Sequence, residues 1–296
     1  MRYRMKRYPK KDREQALSIL QRLAENDEQL TQPQAVKLAL LDQYLIKNRE
    51  LVTSEFIDRF RHLEYELTEL AIIQRVAFDN FAEFTNCLTL AGRFGCLARL
   101  VRGGDFSGTD SLHILPLLAA LAVNDSPTIT AYKKQFVPPF LTGHKVTVLA
   151  CNAVYAILGA TPVTENLRNK LTSLKDSKYS MAMLQSLAAI INQDMDSFID
   201  NIRIMVKSNR SQQEYSPLEK CYCVNAHALV NLWRFHTTNS PLRQLDLPLP
   251  WQNELNAFFT SGHESIPITF DPLGECHLSD LPIDQNTLAL IHSLTT

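Results

Sequence analysis

The sequence has no long apolar run, and this absence excludes the simplest kinds of membrane protein. Its longest apolar segment, Ile114 to Val123, already contains Pro116. That segment is far shorter than the roughly 18 residues that a membrane-spanning helix needs. The basic residues at the start of the chain are followed by neither an apolar block nor a small-residue cleavage site, so they do not form a secretory signal. We therefore predict a cytoplasmic protein that makes no contact with a membrane.

Cysteine and glycine are both scarce. Six cysteines are scattered through 296 residues, and we expect them to be reduced and packed as small hydrophobic side chains. Five of the nine glycines fall in two clusters, at 92–95 and 103–108. We predict that the first cluster ends a helix and that the second is a loop, with a boundary near residue 104.

The sequence has almost no net charge, but its basic and acidic residues are unevenly distributed. The formal net charge is −1; residues 1–13 carry seven basic groups and one acidic group, or +6, which leaves 23 basic and 30 acidic groups, or −7, for the rest. An acidic body disfavours nucleic acid and favours a basic protein partner, although acidic surface can equally serve solubility alone. The basic arm is typical of a weak contact with nucleic acid or with an acidic surface. We favour the simpler interpretation, a terminus that is solvated by its charges or pairs with the acidic body.

What the sequence does contain is a repeated break between helices. Asn124-Asp125-Ser126-Pro127 aligns at an offset of 35 positions with Gly159-Ala160-Thr161-Pro162, and again with Asp194-Met195-Asp196-Ser197. An apolar block precedes each break, and apolar residues spaced four apart follow it, as on an amphipathic helix. A fixed period of this length is typical of stacked helical hairpins. We therefore predict an all-α fold of stacked helical hairpins, a tetratricopeptide-like (TPR-like) α-solenoid or array.

The same patterns place the hairpins on the chain. We predict three hairpins, at 110–123 with 127–137, 145–158 with 162–174, and 178–192 with 196–208. A fourth hairpin opens at Ser216-Pro217-Leu218-Glu219, which has the sequence of a capping box. Its helix should turn Cys223, Ala226, Leu229, Val230 and Trp233 inward.

Upstream of the hairpins, helices are predicted at about 12–25 and 31–46. From Ser54 to Leu88, apolar residues at spacings of three, four and seven predict one long helix. Its acidic residues lie mostly off the apolar seam, so we expect a solvated acidic flank that includes Glu64 and Glu69.

These elements divide the chain into three regions. They are an N-terminal helical layer with the basic arm at 1–104, the hairpin repeats at 105–236 and a C-terminal cap at 237–296; one continuous domain is the alternative. Alternating apolar residues at 266–270 and a turn at 271–274 predict a short extended or β-hairpin-like C-terminal tail. We expect this tail to fold back over the last hairpin.

Motifs for catalysis and metal binding are absent. Cys221, Cys223 and His227 lie close together in sequence, but residues two apart on a helix point away from each other, so we expect a buried cysteine beside a partly exposed histidine. The sequence lacks a nucleophile elbow, a His-Glu-x-x-His pair and a phosphate-binding loop. We predict no metal, no cofactor, no catalytic residue and no enzyme activity. An enzyme whose site assembles from dispersed residues would need a deep polar pocket lined by groups with shifted pKa values.

Acidic residues at the hairpin turns and second helices are the candidates for partner binding, because they could grip a basic ligand. They are Asp105, Asp110, Asp125, Asp194, Asp196 and Asp200. Aspartate is also favourable at helix N-termini whatever the function, and for Asp194 and Asp196 this explanation is sufficient alone. Asp105 and Asp110, in a glycine-rich loop, are less easily explained in that way.

Three segments of the second half share a known pattern. They are Leu187 to Phe198, Tyr215 to Trp233 with the helix Ala226-His227-Ala228-Leu229-Val230-Asn231-Leu232, and Asp246-Leu247-Pro248-Leu249-Pro250. Over about residues 110–260 the chain resembles the Immunity protein 49 family of bacterial polymorphic-toxin systems. The resemblance implies an all-α, non-enzymatic protein that neutralises a cognate toxin made by the same cell. It carries over no toxin-contacting residue.

Two functions of different classes follow. The first is an immunity protein that binds a cognate toxin domain with a basic surface and occludes its active site. The alternative is a TPR-like scaffold or adaptor that mediates protein–protein interaction. Neither function implies a nucleic acid or membrane partner, and the sequence leaves the oligomeric state open.

Overall fold

The computed structural model describes residues 8–24, 32–46, 53–101, 114–136 and 138–237, together with positions 247, 249, 251, 283 and 287. Every regular element in these residues is helical, which confirms the predicted all-α fold. The α-helices are α1 (Lys10–Leu23), α2 (Pro33–Leu41), α3 (Thr53–Val76), α4 (Phe81–Val101), α5 (Ile114–Ala122), α6 (Ser126–Gln135), α7 (Lys145–Ile157), α8 (Glu165–Ser173), α9 (Lys178–Asn192), α10 (Met195–Ser208) and α11 (Val224–His236). Among them, no helix is both long and apolar enough to cross a membrane.

The single long helix predicted from Ser54 to Leu88 is wrong, because the chain turns at residues 77–80 and separates α3 from α4. Asp79 takes a left-handed backbone conformation with φ of 55°, which a helix does not tolerate. The side chain of Asn80 then accepts a hydrogen bond from the backbone N–H of Glu83 at 3.2 Å. Asparagine in this position stabilises a helix N-terminus, so the apolar seam runs over two helices and not one.

The acidic flank of α3 is buried and not solvated as predicted. Glu64 and Glu69 are only 8% and 3% exposed. Arg99 of α4 donates to Glu64 at 2.8 Å, and Arg22 of α1 donates to Glu69 at 2.9 Å. The turn at 77–80 accounts for Glu64, because it folds α4 back against α3 and brings Arg99 to this carboxylate. Glu69 is covered from the other direction, by the packing of α1 on α3.

The glycines at 92 and 95 lie inside α4, so the prediction that they end a helix is wrong. A Cβ at Gly95 would stand 2.6 Å from the Cβ of Pro116 on α5 and 2.7 Å from the Cδ of Glu64. Neither distance leaves room for an alanine. These glycines therefore allow α4 to approach α5 closely, which joins the N-terminal helices to the hairpins.

The three predicted hairpins are present as α5–α6, α7–α8 and α9–α10, and all three have the same turn. Asn124, Gly159 and Gln193 have φ of 55°, 76° and 55°. The residue after each donates its N–H to the carbonyl five positions back, at 2.9 Å in every case. This is the Schellman motif, in which a left-handed residue satisfies the last carbonyls of a helix. The motif recurs at intervals of 35 and then 34 positions, so the sequence offset of 35 holds between the first two turns and is one residue too long for the third.

The array closes on itself. The first helices of the hairpins, α5, α7 and α9, are mostly apolar and pack side by side, and α11 contacts all three. Asn231 of α11 donates to the carbonyls of Leu121 and Ala122 at 2.9 and 3.0 Å. On the α10 side, the rings of Phe198 and Trp233 stack with centroids 4.7 Å apart. The inner helices therefore form a bundle, and α6, α8 and α10 lie outside it.

The fourth hairpin differs from its prediction at the start. The capping box forms, with Glu219 accepting from the N–H of Ser216 at 2.7 Å, but it closes only a turn, and α11 begins at Val224. The described part of the tail packs on the hairpins: Trp251 stacks on His227 of α11. The predicted β-hairpin, the loop at 103–108 and the first seven residues lie outside the described residues.

Candidate functional site

The described aspartates that were predicted to bind a partner contact other residues, and we find no hydrogen bond or ion pair between their side chains that joins them into one site. Asp194 caps α10: its side chain accepts from the backbone N–H of Ser197 at 3.1 Å and from the Ser197 hydroxyl at 2.6 Å. These hydrogen bonds lower the pKa of its carboxyl. Asp196 is exposed in the first turn, and exposed Asp200 accepts from Arg203 at 3.0 Å. All three therefore have a role in stabilising α10 itself. Asp105 and Asp110 lie outside the described residues.

Asp125 cannot contact a partner, because it is only 2% exposed. Arg93 donates to it through Nε at 2.9 Å and Nη2 at 2.8 Å, and the hydroxyl of Thr128 donates at 2.5 Å. A bidentate pair of this kind satisfies both charges inside the protein. The prediction that Asp125 could grip a basic ligand is therefore wrong, and the residue instead ties α4 to the first hairpin turn.

The structure contains a large groove at the second hairpin, which we call the α7–α8 groove. It has a volume of about 990 Å³ and lies between α7, α8 and the loop that precedes α7. Its size is near the upper end for small-molecule sites, which span roughly 300–1,000 Å³. The side chains that define its chemistry come from all three segments: Phe140, Leu141, Lys145, Val148, Leu149, Asn152, Leu167, Lys170, Leu174 and Lys175.

One wall of the groove is fixed by Asn152. Its side-chain oxygen accepts from the N–H of Phe140 at 2.9 Å, and its amide donates to the Phe140 carbonyl at 2.8 Å. The Phe140 ring packs edge-on against Tyr155, with centroids 4.8 Å apart. A loop held by two backbone hydrogen bonds and a buried ring does not need a ligand to take its shape. The groove is therefore formed before anything binds.

The opposite wall is α8, whose sequence explains why the groove is open. Its only buried residue is Leu171, while Leu167 and Leu174 are half-buried and line the groove. A helix with so few large apolar residues cannot pack fully against its neighbours.

The floor of the groove is apolar and its rim is basic. Val148 and Leu149 are half-buried, and Leu141 at the edge is 77% exposed. The charged groups that line it are three exposed lysines, Lys145, Lys170 and Lys175, and no lining residue is an aspartate or glutamate. Between these lysines and the rest of the described chain, no ion pair is recorded. An apolar surface beside unpaired cations can accept a ligand that carries both apolar and acidic groups.

A second, smaller cavity of about 280 Å³ lies where α3 meets α5, α9 and the segment before α11. The Glu64–Arg99 ion pair is on one side. On another, Tyr215 donates to the hydroxyl of Tyr179 at 2.8 Å, and Asn225 donates to both phenol oxygens at 3.2 and 3.1 Å. Burial raises the pKa of Tyr179 and of Tyr215, so both phenols stay protonated at neutral pH. They can act there as hydrogen-bonding groups and not as bases.

The cysteines and His227 belong to the interior. The five described cysteines are free and buried, and burial raises the pKa of the Cys87 and Cys223 thiols to about 12, which makes them unreactive near neutrality. His227 is 2% exposed, so the prediction of partial exposure is wrong. It lies between Tyr222 and Trp251, with ring centroids 5.2 and 4.0 Å away. Burial, with Arg75 and Arg234 nearby, lowers its pKa to about 3. No group of three metal-ligating side chains occurs in the described part of the chain.

The groove residues were missed in the sequence. Pro138 and Pro139 indicate a long connection between helices, but nothing in the sequence shows that Leu141 in this loop is exposed. The lysines carry no signal in sequence, because they are 25 and 5 residues apart and come together only when α8 folds against α7.

Comparison with known proteins does not add to this geometry. No family model matches the chain, and neither the curated proteins nor the solved structures contain a match.

Proposed function

We propose that this protein binds a segment of another protein in the α7–α8 groove, and that the biological role of this binding is to neutralise a toxin. The observation that carries the first part is the groove itself: a preformed apolar floor beside Leu141, which is 77% exposed. Exposed apolar surface next to a concave floor is typical of a protein-binding site.

The second part rests on the resemblance to the Immunity protein 49 family. An immunity protein needs a stable scaffold and an individual binding surface, and it needs no catalytic group. The proposed partner is the cognate toxin domain, and the proposed mode of inhibition is occlusion of its active site. Asp194, Asp196 and Asp200, with Asp105 and Asp110, remain the proposed contacts for a basic surface on the toxin.

A matched pair of variants tests this proposal. Leu141→Asp places a charge at the edge of the groove, and Leu17→Asp makes the same change at an exposed leucine of α1, which is 46% exposed. The candidate toxin domain is sought in the adjacent gene and co-expressed with wild-type protein or with either variant, and survival and complex formation are measured. Because a bound segment would cover the new carboxylate beside an apolar floor without providing a partner for it, we expect Leu141→Asp to weaken the complex at least about tenfold.

The outcomes separate the parts of the proposal. Wild type and Leu17→Asp should protect cells, and both variants should unfold at the wild-type temperature because both positions are exposed. If the toxin kills cells equally with and without wild-type protein, the immunity role is wrong. If the neighbouring protein is harmless but co-purifies through the groove, the adaptor function replaces it.

A further inference from the structure

We infer that the α7–α8 groove selects an amphipathic segment of the partner, in which acidic side chains flank the apolar ones. This inference deepens the proposed function and rests on it, because it specifies which part of the partner enters the groove. The argument comes from the distribution of charge around the groove and from the contacts that the lysines do not make.

The lysines surround the groove from separate elements. Lys145 is the first residue of α7, Lys170 lies in the last turn of α8, and Lys175 follows that helix. All three are exposed, and all three line the cavity. A ligand that lies on the apolar floor between α7 and α8 is therefore close to a cation on more than one side.

The nearby carboxylates do not cancel this charge. Glu165 and Asp176 are the acidic residues nearest in sequence, and neither lines the groove. Asp176 accepts from the backbone N–H of Ser177 at 2.7 Å, and its carboxylate also interacts with His144, the residue before Lys145, so it offsets part of the rim charge without lining the groove. The lining thus keeps a formal charge of three positive groups and no negative group, in a protein whose net charge is −1.

The apolar floor of the groove disfavours a ligand that carries only charged groups. Val148, Leu149, Leu167 and Leu174 would stay in contact with water beneath a hydrophilic polyanion, whereas an apolar side chain buries them at about 25 cal/mol per Å². A segment that offers both kinds of side chain gains from the floor and from the rim. The amphipathic surface of a helix or turn in the partner meets this requirement.

The basic rim of the groove is compatible with aspartates that contact a basic surface of the same partner. A basic partner surface fits Asp194, Asp196 and Asp200 of the third hairpin, and an acidic, apolar segment fits the second hairpin. One partner domain can carry both features, because the two surfaces belong to different hairpins.

Two triple variants with the same change in net charge test the inference. Lys145→Glu, Lys170→Glu and Lys175→Glu reverse the rim of the groove. The control, Lys11→Glu, Lys134→Glu and Lys207→Glu, reverses three exposed lysines that do not line it. The probe is a fluorescein-labelled synthetic peptide of leucine and glutamate in an amphipathic pattern, with lysine and glutamine versions of the same length, and binding is measured by anisotropy.

We expect the glutamate peptide to bind the wild type and the control variant within about twofold of each other, and the groove variant at least about tenfold more weakly. Binding should weaken with added salt, because exposed charges are screened. The lysine peptide should not compete. Absence of saturable binding of the glutamate peptide to the wild type, or equal binding to both triple variants, overturns the inference.

Two further outcomes also overturn it. If the lysine or glutamine peptide binds the groove as tightly as the glutamate peptide, the rim does not select for charge. If wild-type protein is a dimer in sedimentation experiments and the groove variant a monomer, the occupant is a second copy of this chain. Toxin neutralisation that survives the lysine changes but is lost in Leu141→Asp leaves the proposed function intact and removes only this inference.

Discussion

The second and third hairpins share a turn but differ in what their outer helices bury. In α9–α10 the outer helix buries five residues, Phe198, Ile199, Ile202, Met205 and Val206. In α7–α8 the outer helix buries only Leu171. The turn determines that a hairpin forms, and the apolar content of the outer helix determines whether the hairpin is closed or leaves a groove.

The difference separates stability from recognition within one repeated unit. Phe198 of α10 is fully buried against Trp233 of α11 and contributes to the common core. Leu167 of α8 is half-buried and faces the groove. An outer helix with fewer apolar residues contributes less to stability, and it leaves an open surface to which a partner can bind.

The largest effect is expected from truncating the closed hairpin. Phe198→Ala should lower the free energy of unfolding by about 3–5 kcal/mol, because it removes a ring from a filled site. Leu167→Ala, in the outer helix of the open hairpin, should cost only about 1 kcal/mol, because its side chain is already partly in water. Chemical denaturation measures both free energies of unfolding, provided that their dependence on denaturant concentration is the same as in the wild type. Equal losses would mean that α8 is packed as firmly as α10.

The next largest effect concerns equivalent positions in two of the turns. Asp125 and Asp194 both follow the left-handed residue, but Asp125 is buried on Arg93 and Asp194 is exposed. Asp125→Asn should cost about 3 kcal/mol, because it leaves the guanidinium buried without a counter-charge. Asp194→Asn should change stability by less than about 0.5 kcal/mol, since asparagine caps a helix equally well. Urea unfolding curves compare the two, and similar costs would contradict the burial of the Asp125 pair.

The smallest effect tests whether the turns are interchangeable. Gly159 and Gln193 occupy the same left-handed position, with φ of 76° and 55°. Nothing lies within 4 Å of a Cβ built on Gly159, so Gly159→Ala should cost only the backbone strain, about 1 kcal/mol. Gln193→Gly should stabilise the protein by up to about 1 kcal/mol. Thermal unfolding is the measurement, and shifts of the same sign would show that the turns differ in geometry.

Much of the hairpin region could be predicted from the sequence, because its signals are local. The break residues at 124, 159 and 193 each end an apolar block, and the helices begin and end within a few residues of the predicted positions. Helix capping and periodicity depend on neighbours along the chain, so they are visible without tertiary contacts.

The errors concern contacts between distant segments. The apolar seam of α3 continues into α4 across Asn80, and only the N-cap role of that side chain marks the break. The sequence predicts a helix end at Gly95, because the reason for a glycine there is not local. A Cβ at this position would lie within 3 Å of Pro116 and Glu64, which belong to other helices. Asp125 reads as a surface residue because Arg93 is 32 positions away. The groove was missed for the same reason.

The contact between α5 and α11 sets a limit on how this fold can vary. The side-chain amide of Asn231 on α11 donates a hydrogen bond to the carbonyl of Leu121, 110 positions earlier in the chain. Both ends of the hairpin region must therefore fold before this contact can form. An open solenoid gains or loses units at its ends and unfolds piecemeal. Here an additional unit would separate α5 from α11, and the high sequence separation of this contact makes folding slower and more nearly all-or-none. The direct contact between α5 and α11 thereby limits how many hairpins can lie between these two helices.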